Sequence, residues 1–201
     1  MALGKNDLIL RDRFQFTLNS DGEIDTVYGR LDMSDFVNVT EQKGFRVKDI
    51  VLQIRDPNNV AGGVANTGNW QPAGDGWATL GSDAYNAWKI TVGSRAYESL
   101  SDVGIASPDI LHVETWTQWM NYPGAGEIAQ VSEHNIYPMR DLAPGGYTVV
   151  SDILVGVSVD TLSTNDTWDD GVIEIDLMVI GKPTSVTQKA MTQLLVQAQD
   201  L

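Results

Sequence analysis

The chain has 201 residues, 42% of them hydrophobic, which suits one globular domain with a substantial core. It has no cysteine, which excludes disulfides, thiol catalysis and zinc–thiolate sites. The formal net charge of −14 repels nucleic acid and anionic membranes. We expect no signal peptide, because the start of the sequence, Met1 to Asp7, has no apolar core of the required length. We expect no transmembrane segment, because no stretch is apolar over the ~20 residues that a membrane span requires.

The charge is unevenly distributed along the chain. Residues 1–55 contain eight Lys and Arg against nine Asp and Glu, a net charge of −1. Residues 56–201 contain five against eighteen, a net charge of −13. A face built from the N-terminal quarter is therefore expected to be close to neutral.

Alternation of apolar and polar side chains predicts eight strands. In chain order they are Phe14–Leu18, Ile24–Leu31, Phe45–Arg55, Trp88–Val92, Ile110–Met120, Glu127–Ser132, Tyr147–Asp160 and Val172–Ile180. The apolar parity changes within the third strand, which predicts a β-bulge near Lys48 and Asp49. The fifth strand is bulky on both faces, as expected of a central strand or of one covered by a neighbouring subunit.

The connections between these strands differ in kind. The sequence predicts a turn or a short helix over residues 32–39, and it predicts a short helix within residues 94–107. Residues 56–83 and 138–146 predict loops, of which the first is long and rich in glycine.

The C-terminal segment changes to a helical period. Ser185 to Gln188 matches a capping box, and Pro183 stands just before it. Apolar residues then follow at helical spacing, namely Ala190, Met191, Leu194, Leu195 and Ala198. This pattern predicts an amphipathic helix over residues 185–199 that packs on its own domain or on a neighbour.

These elements predict an all-β fold. Eight strands with long connections favour an antiparallel sandwich of jelly-roll type, with a short amphipathic helix at the C-terminus. We expect residues 1–201 to form a single domain, because no linker or internal repeat divides them.

Three groups of residues carry candidate chemistry. His112 and Glu114 lie on the same face of one strand. They are either a general base with the carboxylate that orients it or an ordinary polar pair. His134 lies near a strand end. Asp166, Asp169 and Asp170 share a loop that either binds a hard cation or is a solvated turn.

Trp70 and Trp77 lie in the long glycine-rich loop and either stack on sugars or anchor a subunit contact. For each of these groups the structural interpretation is favoured. We therefore expect no catalytic, cofactor-binding or metal-binding residue, and we expect that the protein is not an enzyme.

In strand number, loop style and C-terminal helix, the chain resembles the single jelly-roll capsid proteins of icosahedral viruses. The resemblance implies a structural subunit that assembles with copies of itself and with other virion proteins, and a virion assembled in the host cytoplasm. Capsid proteins that touch a naked genome commonly have a basic N-terminal arm. Here Lys5, Arg11 and Arg13 are offset by Asp7 and Asp12, so direct binding of nucleic acid is not expected.

The resemblance to capsids that contain an internal membrane implies that lipid screens the genome from this chain. Two other functions remain open. One is a phage tail-tube or other virion β-protein, and the other is a carbohydrate-binding module.

Overall fold

The computed structural model describes residues 6–55, 82–124, 127–162 and 172–199. In these ranges the chain forms nine strands, a 3₁₀ helix at Leu100–Asp102 and two α-helices, α1 at Met139–Leu142 and α2 at Gln188–Gln199. The strands are β1 Leu8–Thr17, β2 Ile24–Leu31, β3 Lys43–Arg55, β4 Ser82–Gly93, β5 Ile110–Gly124, β6 Glu127–Tyr137, β7 Tyr147–Val149, β8 Ile153–Leu162 and β9 Val172–Ser185.

The strands form two antiparallel sheets. The four-stranded sheet has the order β1-β9-β3-β7, and the five-stranded sheet has the order β2-β8-β4-β5-β6. When β6 is set aside, the first strand pairs with the last, the second with the second last, and so on to the β4–β5 pair. This rolled-up hairpin is the jelly roll, so the predicted all-β fold class is confirmed.

The core lies between the two sheets, where apolar side chains of alternate residues meet. From the four-stranded sheet it receives Phe45, Ile175 and Val179, each fully buried. From the five-stranded sheet it receives Ile90 and Val155. Burial of both inner faces is the main source of stability in such a sandwich.

The predicted bulge in β3 is confirmed. The register against β9 shifts between Val47 and Asp49, and Lys48 is the extra residue. Its Nζ lies 2.6 Å from Oδ1 of Asp7, whose side chain is 3% exposed. The bulge therefore keeps the apolar residues on both sides of it on the core face and directs the ammonium group of Lys48 to a buried carboxylate.

The predicted seventh strand, residues 147–160, is wrong as a single element. It is two strands, β7 in the four-stranded sheet and β8 in the five-stranded sheet, which are joined by a bend at residues 150–152. The Oδ1 atom of Asp152 accepts a hydrogen bond of 2.9 Å from the amide of Met33. This hydrogen bond holds the bend. The sequence did not predict the bend, because the alternation of apolar and polar residues continues across it.

Several predicted boundaries also move. β1 begins at Leu8, β6 continues to Tyr137 and β9 continues to Ser185. The predicted loop at residues 138–146 contains α1, whereas residues 32–39 form hydrogen-bonded turns, as one of the two alternatives expected. The 3₁₀ helix falls within the predicted helical region of residues 94–107.

Helix α2 packs against its own domain. Met191 is fully buried with Val150 and Val186, and Leu194 and Leu195 pack against the same group. The helix begins later than predicted, because the amide of Ala190 donates to the hydroxyl of Thr187 rather than to Ser185.

Gly181 tests the β3–β9 pairing beside the bulge. A Cβ atom at this position would overlap the carbonyl oxygen of Arg46 and the ring of Phe45. We predict that Gly181→Ala lowers the free energy of unfolding by about 1–3 kcal/mol, measured by urea denaturation. Gly104→Ala is the matched control, because a Cβ there meets no atom within 4 Å. Equal stability of the two variants would contradict the close approach.

Candidate assembly surfaces

The predicted pair of His112 and Glu114 lies on the inner face of β5, and a third residue joins it. His112 Nε2 is 3.6 Å from one carboxylate oxygen of Glu114. Nε2 of His134, on β6, is 2.8 Å from the other oxygen. The sequence did not identify His134 as a partner, because the β5–β6 register that brings it next to Glu114 is set by tertiary structure.

Aromatic rings surround His134. Trp116 pairs with it across the strands, and their ring centroids are 5.5 Å apart with an edge-to-face angle of 70°. Trp88 contacts it in a similar way at 5.8 Å. Edge-to-face contact of this kind fixes the orientation of the imidazole ring.

Glu114 is 7% exposed, and two opposing effects act on it. Burial raises the pKa of its carboxyl group, but hydrogen bonding and charge from His112 and His134 outweigh burial and lower the pKa below its ordinary value. The carboxylate is thus held ionised between two imidazoles. Nearby, the side-chain amide of Gln118 is fully buried and makes no hydrogen bond to the residues that the structure describes.

We predict that Glu114→Gln lowers the free energy of unfolding by about 2 kcal/mol at neutral pH, because it removes the charged partner of the buried His112 and of the more exposed His134. The lowered pKa of Glu114 adds stability above about pH 4.5, its ordinary pKa, and that stability is lost as the pH falls through the folded-state value. The variant should therefore lose less stability on acidification than the wild type, as thermal melts from pH 7 to pH 3 would show.

Glu98→Gln is the matched control, because Glu98 is exposed. It should leave both the neutral stability and the acid response unchanged. If Glu114→Gln behaved like this control, the histidine contacts would contribute nothing to the fold.

The outer side of the four-stranded sheet, which we term face A, contains a ladder of charges. Arg13 Nε donates to Oδ1 of Asp176 at 2.6 Å, and this hydrogen bond holds the pKa of Asp176 below its ordinary value. Arg55 lies 3.5 Å from Glu174, and Gln15 donates to the same carboxylate at 2.5 Å. The ladder joins β1, β9 and β3 across the sheet.

Face A continues beyond this ladder with apolar side chains. Arg11, Met178 and Val51 form one cross-strand row, and Ile9 and Ile180 lie in the next. Val51 is 44% exposed. Ile9, Met178 and Ile180 are half-buried, so Val51 is the exposed apolar residue of these two rows.

The ionised side chains that the register places on face A differ in sign from the chain as a whole. The five cations are Arg11, Arg13, Arg46, Arg55 and Lys182, and the three anions are Asp49, Glu174 and Asp176. Face A therefore has a net charge of +2, whereas the whole chain has −14. Face A is not built from the N-terminal quarter alone: β1 and β3 supply four of its cations and Asp49, and β9 supplies Lys182, Glu174 and Asp176.

The outer side of the five-stranded sheet is partly covered by its own chain. Leu100 and Val103, from the segment before β5, pack on Ile110 and Val113. This explains why the start of β5 is buried on both faces without a neighbouring subunit. Lys89 donates to the carbonyl of Ser101 at the border of the covered region.

Beyond that border no helix or turn of the described residues packs on the sheet, and we term this part face B. It comprises Tyr85, Ala87, Thr117, Trp119, Val131, Glu133 and Asp160. Tyr85, Trp119 and Val131 form one cross-strand row, in which Trp119 is 38% and Val131 63% exposed. Among these seven residues there are two carboxylates and no cation.

Strand β6 forms the edge of the five-stranded sheet beside face B. In the described part of the chain it pairs with β5 alone, over most of its 11 residues. Ile136 and Tyr137 near its end are 51% and 39% exposed. Such an edge offers unpaired backbone donors and acceptors to a further strand.

The remaining candidates of the sequence lie outside the described residues. These are Trp70 and Trp77 in the long loop, and Asp166, Asp169 and Asp170 in the acidic loop. Within the described ranges, no set of three His, Asp or Glu residues is placed to hold a metal ion. The helices in those ranges include none with the length and apolar character needed to cross a bilayer.

Comparison with models of protein families gives no match, and comparison with curated proteins gives no significant match. Among solved structures, the chain is similar to one of Desmodium yellow mottle tymovirus, with a TM-score of 0.30 and 9% sequence identity. The similarity covers 93% of this chain and 94% of that one.

Proposed function

We propose that the protein is a structural subunit of a viral capsid, which assembles with copies of itself into an icosahedral shell. The observation that carries the proposal is the open apolar row of Tyr85, Trp119 and Val131 on face B. Burial of such a row against another subunit removes apolar surface from water and so favours association. Jelly rolls are a common architecture of shell subunits.

The edge strand adds to this argument. Soluble proteins commonly protect a long edge strand with lysine, proline or a covering segment. Strand β6 contains no lysine and no proline between Glu127 and Tyr137, and it exposes Val131 and Ile136. In the proposed shell, a contact with a neighbouring subunit covers this edge.

The net charge of the chain indicates which partners the subunit would contact. With a net charge of −14, contacts with other protein chains of the virion are favoured over contacts with nucleic acid. In this proposal an internal lipid membrane separates the shell from the genome, and the chain acts as a single domain without a catalytic step or a cofactor.

The proposal predicts concentration-dependent self-association. Size-exclusion chromatography with light scattering should give a weight-average mass well above 22.0 kDa that rises with protein concentration. Trp119→Lys, which places a charge within the apolar row, should reduce that mass, and the exposed Val196→Lys on helix α2 is the matched control. A wild-type chain that stays monomeric at millimolar concentration would contradict the proposed function.

A further inference from the structure

We infer that face A of one copy docks on face B of the next copy. The inference rests on the proposed function and specifies which surfaces make the contact between subunits. The two faces lie on the outer sides of opposite sheets of the sandwich, so each copy presents both at once.

The charges of the two faces are complementary. Face A has a net charge of +2, whereas the seven residues of face B include Glu133 and Asp160 and no cation. Within face A, Arg13 and Arg55 are held by carboxylates of their own chain. Arg11 and Lys182 lie outside this ladder and are exposed, so they are the cations available to a neighbour.

The apolar parts of the two faces also correspond. On face A, Val51 and Met178 are adjacent across β3 and β9, next to Arg11. On face B, Trp119 and Val131 are adjacent across β5 and β6, one register step from Glu133. Each face therefore has an apolar row beside its exposed charge, which is the arrangement of an apolar contact with a polar rim.

Pairing of like faces is disfavoured by the same charges. Two copies of face A would bring Arg11 and Lys182 near their equivalents, and two copies of face B would bring together Glu133 and Asp160. The A-to-B contact is heterologous, so repetition of it closes a ring or extends a row of subunits. Either product is a building unit for a shell.

Reversal of one charge on each face tests the contact. Arg11→Glu and Glu133→Arg should each weaken self-association about tenfold or more, because each sets like charges against the opposing face. The double variant in one chain places opposite charges across the contact again, and it should recover most of the lost association. Sedimentation velocity over a range of concentrations, at low and at high salt, measures these changes.

Lys189→Glu reverses the charge of an exposed residue of helix α2 that belongs to neither face, and should associate like the wild type. Each variant is first compared with the wild type by thermal melting, and Asp160→Arg replaces Glu133→Arg if the latter melts early. A wild type that fails to associate overturns the proposed function. If the wild type associates and the single reversals have no effect, or the double variant is no better than either single variant, the A-to-B contact is wrong while the proposed function stands.

Discussion

Strand β9 is the element on which the rest of the structure depends, because it pairs with β1 on one side and with β3 on the other. Its alternation is strict: Ile175 and Leu177 face the core, and Glu174 and Asp176 face outward. The inner residues close the sandwich, and the outer carboxylates hold the arginines of β1 and β3. The carboxylates of the last strand thus offset the arginines of β1 and β3, so that face A is only weakly charged.

This arrangement gives the two sides of the molecule different properties. Face A is an ordered network of ion pairs with an apolar row at its margin, whereas face B combines an apolar row with the carboxylates of Glu133 and Asp160. Trp119 and Val131 are exposed on face B, whereas Leu100 and Val103 are buried on the same side of the same sheet, and the proposed assembly would bury the exposed row.

The fold was predictable from the sequence where a local pattern decides it. The period-2 alternation located β2 with its observed bounds, and the change of parity at Lys48 and Asp49 located the bulge. The division between β7 and β8 was not predictable, because the alternation continues through residues 150–152 and the bend is held by a tertiary contact between Asp152 and Met33.

The group of His112, Glu114 and His134 was predictable only in part, again where a local pattern of the sequence decides it. His112 and Glu114 are two residues apart on one strand, so their common face follows from the sequence. The partners of His134 and the composition of the two outer faces depend on which strands become neighbours. The long loops between the strands leave that strand order undetermined by the sequence. The overall charge split was visible, but the carboxylates of β9 that complete face A lie more than 100 residues from its arginines.

Electron microscopy of the concentrated, purified chain is the most direct test of the central claim that this jelly roll is a self-assembling shell subunit. The account predicts closed shells, or flat arrays of repeated rings, in which neighbouring subunits meet through the outer faces of opposite sheets. Isolated single-domain particles at every concentration would contradict it, and stacked rings that extend into tubes would contradict the shell in favour of a tail-tube protein.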